Sequence, residues 1–509
     1  MTLAVVIARN AAFAPDKAAI HFDGKTLSYA AFHQRIERAA YALATEYRIG
    51  LGDRVAILSQ NRPDYLVLLY ACARLGAILV PLNWRLAAPE LAYMLDHSAP
   101  KLLVMEQAFA AVLADIAATK PRLGVVWLNQ APSGGTTIDN LIDGIADRPA
   151  DNFLANHLGA PLLLVYTSGT TGRLKGAVLT QRALMMNSAM SHHMHGLTAD
   201  DHVLSVLPFF HVGGLNIQTT PALHFGATVT IHPRFTPEAT LAAFAQARPT
   251  LTVLVPATID AVTSHPAWPT TDLSSLRAIT TGSSIVPQPL IDRVEARGVP
   301  VLQVYGATET CPIAIYTRIG CDRSRIGSTG LPGFIGDATV MDEHGTEQPA
   351  GATGEIAVRG PTLFAGYWND AAATAEVLVD GWYRTGDLGH RDADGYFYVH
   401  DRKRNTIISG GENIYPAEIE RVLLEHPDVI EAGVVGLPDP VWQETPTAFV
   451  MLRADATAAP EALKRHVAAH LARYKVPREI VIVTDLPRTA LGKVQHFRLK
   501  QMALGSGPS

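Results

Sequence analysis

Short apolar runs alternate with longer alanine-rich segments of helical spacing over the first three hundred residues. "RVAILS" (54–59) reads as a strand, "YLVLLYACARLG" as the body of a helix and "AILVPLN" as the next strand. "KLLVM", "EQAFAAVLADIAA" and "LGVVWL" repeat that order. A second round runs from "ATVTIH" (227–232) through "TPEATLAAFAQARP", "LTVLVP" and "LRAITTG" to "VPVLQVYG". This alternation predicts parallel sheets covered by helices, an α/β architecture. No short repeat is visible, which excludes a solenoid.

After about residue 320 the pattern changes. "TVMDEHG", "GEIAVRG" and "GWYRTGDLGHRDADGYFYVHDR" place glycine and aspartate turns between short alternating strands. They predict a small β-rich subdomain over about 320–400, inside a large domain spanning 1–400. Farther on, Pro416 opens a helix that is followed by a strand, and "APEALKRHVAAHLARYKVP" predicts a second amphipathic helix ended by Pro477. A boundary at 400–405, with 401–404 as hinge, leaves 405–509 as a mobile α+β terminal domain. The tail "LGSGPS" reads as disordered.

The 509 residues suffice for more than one domain. Apolar residues make up 48% and charged residues 17%, which excludes disorder and a coiled coil. The net charge is only −5 and no basic tract is present, so nucleic acid is not an expected partner. Cys72, Cys311 and Cys321 are too few and too irregular for a disulfide framework or a zinc site, and read as reduced thiols of a cytoplasmic protein. The N-terminus lacks a basic leader region, and Arg9 and Asn10 interrupt its apolar run, so no signal peptide is expected. The most membrane-like stretch, from Tyr65, contains Arg74 and Gly76 and fits helix–turn–strand better than an integral membrane segment.

The chemistry begins at "YTSGTTGRLKGAVLT" (166–180). Backbone amides around Gly169 and Gly172, with the hydroxyls of Thr167, Ser168, Thr170 and Thr171, make a concave anion nest, and Lys175 adds a mobile charge. That is a grip on a polyphosphate, most naturally of a nucleotide. A Walker A loop would need Gly-Lys followed by Ser or Thr, whereas Leu174 and Gly176 flank Lys175. Alone, the loop supports only phosphate binding.

Its companions follow in order: "PFFHVGG" (208–214), "VYGATET" (304–310), "YRTGDLG" (383–389), "DRKRNTIISGGENIYPAEIE" (401–420) and "PRTALGK" (487–493). The series resembles the motifs of the adenylate-forming superfamily: acyl-CoA synthetases, firefly luciferase and the adenylation domains of peptide synthetases. The resemblance runs from about Ala12 to Leu499. It implies an ATP-dependent carboxylic acid–CoA ligase with ATP, Mg²⁺ and coenzyme A. A carboxylate attacks the α-phosphate, pyrophosphate leaves, and a thiol then displaces AMP.

The same resemblance assigns roles. The loop from Thr167 to Lys175 holds the outgoing pyrophosphate, Thr308 bonds a phosphate oxygen and Glu309 holds Mg²⁺. Tyr305 stacks on adenine, with Gly282, Ser283 and Ser284 on the other side. Asp387 and Arg402 contact the ribose, and Lys493 bridges the acid and the α-phosphate. Arg404 aligns with a hinge whose rotation withdraws Lys493 and brings Ser409, Gly410 and Gly411 to the CoA tunnel. His211, counted with Lys493, Thr308 and Glu309 among the catalytic residues, becomes a gate or wall between the acyl pocket and the thiol channel, a pocket shared with Gly213, Gly214, Gly282 and Gly306. Three positions depart from the family pattern: Arg404 where aspartate is frequent, Leu174 for the usual proline, and Gln443 where glycine is commoner.

No aspartate lies between Pro208 and Gly214 to pair a substrate ammonium, which disfavours an amino acid. Val304 stands where malonate-type ligases show an arginine, which disfavours a small dicarboxylate. An apolar acid remains, either a medium- to long-chain fatty acid or an aryl acid. Gly213 and Gly214 leave room where aryl-acid ligases often place bulk, which points to an alkyl chain or a larger hydrophobic acid. The motifs also resemble o-succinylbenzoate–CoA ligase. Delivery to a carrier-protein thiol is the alternative outcome, and a catalytically silent homologue is disfavoured because Lys175, Thr308, Glu309, Asp387, Arg402 and Lys493 are all retained. The expected partners are the small-molecule acid, ATP and CoA, with a homodimer left open. In "SHHMH" (191–195) adjacent histidines do not share a helix face, so a metal site is not expected there.

Overall fold

On the strand Arg54–Leu58, Val55 and Ile57 face one way, Ala56 and Leu58 the other, and all four are buried. Successive side chains point to opposite faces, so a strand buried on both is covered by protein on both. The computed structural model that shows this describes the chain except for residues 1, 113–122, 133, 144, 146–157, 169–173, 284–285, 322–324, 410–411, 441, 472, 489–492 and 506–509.

The described residues form four sheets. One has seven strands, in the order Gly366–Tyr367, Leu174–Thr180, Pro161–Ser168, Ile78–Leu82, Arg54–Leu58, Leu102–Met105, Gly124–Trp127. A nine-stranded sheet carries a parallel centre, Val301–Tyr305, Ala278–Gly282, Leu251–Val253, His202–Ser205, Thr228–Ile231 and Ala18–Phe22. The helices Leu3–Phe13, Tyr29–Glu46, Pro63–Leu75 and Gln181–His195 join one core with the facing sides of both sheets. Pro63–Leu75 is buried on nearly every face, as a helix enclosed by two sheets must be. It stops at Gly76, whose φ of 68° suits a residue without Cβ. Among the described residues no helix is long and apolar enough to cross a membrane.

The α/β expectation holds, but the sheets are mixed. Their edges are antiparallel: Leu174–Thr180 and Gly366–Tyr367 on the smaller, Ile315–Tyr316, Leu331–Pro332 and Lys25–Ser28 on the larger. The reason is local. A short connection can join only antiparallel neighbours, and only five residues separate Pro161–Ser168 from Leu174–Thr180.

Between 337 and 402 an antiparallel five-stranded sheet forms from Asp337–Met341, Gly354–Arg359, Leu378–Val379, Trp382–Arg391 and Phe397–Arg402. Two pieces of the stretch 320–400, Leu331–Pro332 and Gly366–Tyr367, edge the large sheets instead. A fourth sheet starts at Ile407–Ser409 and packs with the helices Pro416–Leu424 and Pro460–His470. The change of sheet therefore falls between Arg402 and Ile407. The helix expected to reach Pro477 ends earlier, at His470. Leu471 turns extended and packs on the terminal core, and Arg473–Lys475 forms a separate 3₁₀ turn. Of "EQAFAAVLADIAA", Gln107–Phe109 is a 3₁₀ turn and residues beyond 112 lie outside the described ones. So does the end of the tail, 506–509.

Candidate active site

The phosphate-loop sequence is the tip of a hairpin. Thr167 stands opposite Lys175 and Ser168 opposite Leu174, and Thr167 Oγ1 reaches Lys175 O at 3.5 Å. Gly169, Thr170, Thr171 and Gly172 lie outside the described residues, as does the side chain of Ser168. Lys175 leaves the hairpin with its ammonium 5.1 Å from the centre of the Tyr367 ring. The Tyr367 hydroxyl donates to Glu309 Oε1 at 2.7 Å. Burial first, then the Glu309 charge, pushes the Tyr367 hydroxyl well above its ordinary range, so it stays a donor. One aromatic ring thus connects the expected phosphate cation with the expected Mg²⁺ ligand. Tyr367, from "AGYWND", was missed in the sequence because no charge or glycine spacing marks it.

Thr308 and Glu309 sit on the 3₁₀ turn Thr308–Thr310 after the strand Val301–Tyr305, each 6% exposed. At the end of that strand Tyr305 donates to Asp387 Oδ2 at 2.8 Å, and Arg402 Nε meets Asp387 Oδ1 at 2.6 Å. Tyr305, Asp387 and Arg402, read separately as adenine and ribose contacts, therefore form one hydrogen-bonded unit. Gly282 and Gly306 flank it for a backbone reason. A Cβ would stand 2.2 Å from Val304 O at Gly282 and 1.7 Å from Pro312 O at Gly306. Ser283 has φ of 78°, and Ser284 lies outside the described residues.

His211 caps the short helix Val212–Gly214, with its carbonyl accepting from Gly214 N and Leu215 N at 3.1 Å. It is half-buried, and its pKa is lowered to about 4 by burial first, then by the charges of Lys493 and Arg85. The imidazole is neutral at physiological pH. The Lys493 charge acting on it puts Lys493 of the terminal domain within electrostatic reach of His211. Arg85 also lies near His211, its guanidinium 4.8 Å from the Trp84 ring centre and 5.9 Å from that of Phe210. Trp84 and Arg85 carry no motif that marks them and lie more than a hundred residues from His211.

The two glycines after His211 differ. Built onto Gly213, a Cβ would come within 4 Å only of Ile217 Cδ1, at 4.0 Å, so a side chain is accommodated there without a clash. At Gly214 it would lie 2.4 Å from Pro208 O and 2.6 Å from Leu207 O. Gly214 was expected to leave pocket room, but it serves close packing of the chain on itself.

The histidines of "SHHMH" go three ways. His192 Nδ1 meets Leu197 O, His193 Nδ1 meets the Tyr316 hydroxyl, and His195 Nε2 meets Thr280 Oγ1. Among the described residues no group of three His, Cys, Asp or Glu is placed to hold a metal ion.

Ser409 ends its strand with backbone partners Glu412 and Gln443 in the terminal sheet. Gln443, where glycine is commoner in the resembling series, has φ of 67°, the left-handed region that favours glycine. Gly410, Gly411 and the side chain of Arg404 lie outside the described residues.

Residues 7–368 match the AMP-binding enzyme family, and residues 418–493 match the AMP-binding enzyme C-terminal domain. The chain is 46% identical over 505 residues to an indoleacetate–CoA ligase of Aromatoleum aromaticum, covering 99% of this chain and 98% of that one. It is 39% identical to a feruloyl-CoA synthase of Amycolatopsis sp, over 96% of each chain. The crystal structure of ATP-bound MatB from Rhodopseudomonas palustris superposes with a TM-score of 0.91 at 31% identity, covering 99% of both chains.

Proposed function

Since this chain belongs to the AMP-binding enzyme family and is an AMP-forming, ATP-dependent acid–CoA ligase, we propose that its acid carries an aromatic ring near the carboxylate. The nucleotide half of the reading is supported by two bonded groups, Lys175–Tyr367–Glu309 and Tyr305–Asp387–Arg402, and by the Lys493 charge acting on His211. The observation that carries the ring is the likeness to two aryl-acid ligases. The relatives at 46% and 39% identity are named for indoleacetate and ferulate, acids that set a flat ring a short distance from the carboxylate. The room at Gly213 suits either a ring or a chain, and it is the likeness to aryl-acid ligases that weighs against the fatty-acid alternative.

The chemistry brings an anion to a polyanion, so fixed positive charge and donors must be in place beforehand. Lys175 neutralises the leaving pyrophosphate from the hairpin. Asp387 accepts from the ribose hydroxyls while Tyr305 and Arg402 fix its orientation. Lys493 holds the acid carboxylate against the α-phosphate, whose bond to pyrophosphate breaks as the acyl–phosphate bond forms. The CoA thiol, having lost its proton, then displaces AMP from the acyl carbon. His211, uncharged, forms a wall that does not compete with Lys493 for the carboxylate.

Mg²⁺ fits the site. Glu309 presents a buried carboxylate oriented by the Tyr367 hydroxyl, and a hard cation that keeps water and phosphate oxygens needs few protein ligands. Glu309 would hold it, and the ion would supply charge neutralisation on the phosphates when bound.

The terminal domain is proposed to rotate about 401–404 between the two half-reactions, exchanging Lys493 for the segment from Ser409 to Gly411. Acid-dependent ATP–pyrophosphate exchange tests the substrate reading. Indole-3-acetate and hydroxycinnamates are expected to stimulate exchange at least tenfold more than octanoate or hexadecanoate. The reverse order would overturn it.

A further inference from the structure

The segment that presents Lys493 is anchored on both sides. Upstream, Arg488 Nη1 donates to Glu431 Oε1 at 2.6 Å. Gln495 N donates to Pro487 O at 2.7 Å, and Arg488 bridges to Val494, which closes the stem. Beneath it lies Gly433, where a Cβ would stand 2.5 Å from Leu499 Cδ1 and 2.9 Å from Val494 Cγ1. Downstream, three residues past the lysine, His496 Nε2 donates to Glu420 Oε1 at 2.6 Å.

Glu420 joins three elements. It belongs to the helix Pro416–Leu424, and its Oε1 also accepts from Val434 N, in the strand Val429–Asp439, at 2.7 Å. His496 begins the last helix, His496–Ala503. The first turn of Pro416–Leu424 is tied in turn to the end of the strand Phe397–Arg402, because Ala417 N donates to Asp401 Oδ2 at 2.8 Å. Asp401 precedes Arg402, the partner of Asp387. These bonds, joined by the peptide between Asp401 and Arg402 and by one turn of helix from Ala417 to Glu420, connect Asp387 with the base of the lysine segment.

We propose that Glu420 and His496 are positioning residues for Lys493. Their bond fixes the start of the last helix on the helix that follows the hinge, and so sets where the ammonium enters the cleft. The proposal rests on the role given above to Lys493. Neither side chain touches the reacting atoms, and both act through the lysine. Loosening the pair spoils the half-reaction that needs Lys493 in place and spares the one that does not.

The test measures both half-reactions on the full chain: indole-3-acetate-dependent ATP–pyrophosphate exchange, and thioester formation from supplied indole-3-acetyl adenylate and CoA. His496→Ala is expected to lower exchange at least tenfold, with thioester formation within twofold of wild type. His496→Arg, which keeps a cationic donor, is expected to restore at least half of the exchange. Glu420→Gln, which retains an acceptor for Val434 N, gives the same split and serves should His496→Ala fold poorly. Equal loss of both half-reactions, or undiminished exchange beside an inactive Lys493→Ala, overturns the proposal. Undiminished exchange in Lys493→Ala itself overturns the underlying reading of the lysine and the proposal with it, so the two failures are distinguishable.

Discussion

Lys493 and His211 come from segments almost three hundred residues apart, yet the charge of one lowers the pKa of the other. Burial contributes the larger share, and the neighbouring ammonium and Arg85 add to it. The sign of the consequence follows. A histidine whose folded pKa is about 4 binds fewer protons than its unfolded counterpart between about 4 and 6.5, so the fold loses stability as pH falls through that window. Lys493→Ala removes one lowering charge. The His211 pKa should rise in that variant, read from the imidazole shifts in a nitrogen-15 NMR titration. An unchanged value would place the lysine away from His211. At the same scale Tyr367 shows why some site residues stay hidden in a single sequence. Its two jobs, facing Lys175 and bonding Glu309, exist only after the strand Gly366–Tyr367 has joined the sheet beside Leu174–Thr180.

Helices and strands buried on one or both faces were legible from periodicity, because burial imposes the pattern that the sequence displays. Arg54–Leu58, Pro63–Leu75 and Ile78–Leu82 stand where the apolar runs place them. What the pattern hid were features set by a neighbour. The antiparallel sheet edges follow from short connections, and the end at His470 from Leu471 turning to the terminal core. The motif residues were legible as a set, while the reasons for their glycines were not. Gly213 and Gly214 look alike in "PFFHVGG", but only the second faces backbone oxygens. Gly214→Ala should therefore destabilise the protein by about 1–3 kcal/mol, as forced overpacking does. Gly213→Ala should leave the melting temperature within a degree or two and alter the preference among ring-bearing acids. Equal melting temperatures for the two variants would contradict the distinction.

Across the whole molecule, the junction near 401–404 carries a buried carboxylate. Burial, and next the like charge of Glu420, push Asp401 up to about 6, against the amides of Ala417 and Arg402 and the charge of His496. Here the folded form binds more protons than the unfolded between about 4 and 6, so stability falls as pH rises through that window. A shift of this size corresponds to about 3 kcal/mol at most. In Asp401→Asn the pH dependence of the melting temperature between 4 and 6 should lose that downward contribution, and an unaltered profile would show that the carboxylate does not titrate there. The central claim is that two domains close one cleft around an acid and ATP and join them before CoA enters. Mass spectrometry of the full chain incubated with indole-3-acetate and MgATP, without CoA, tests it most directly. The account predicts indole-3-acetyl adenylate retained with the protein, converted by added CoA into one thioester and one AMP. Acid-independent ATP hydrolysis, or thioester formation with no adenylate detectable before CoA is added, would contradict it.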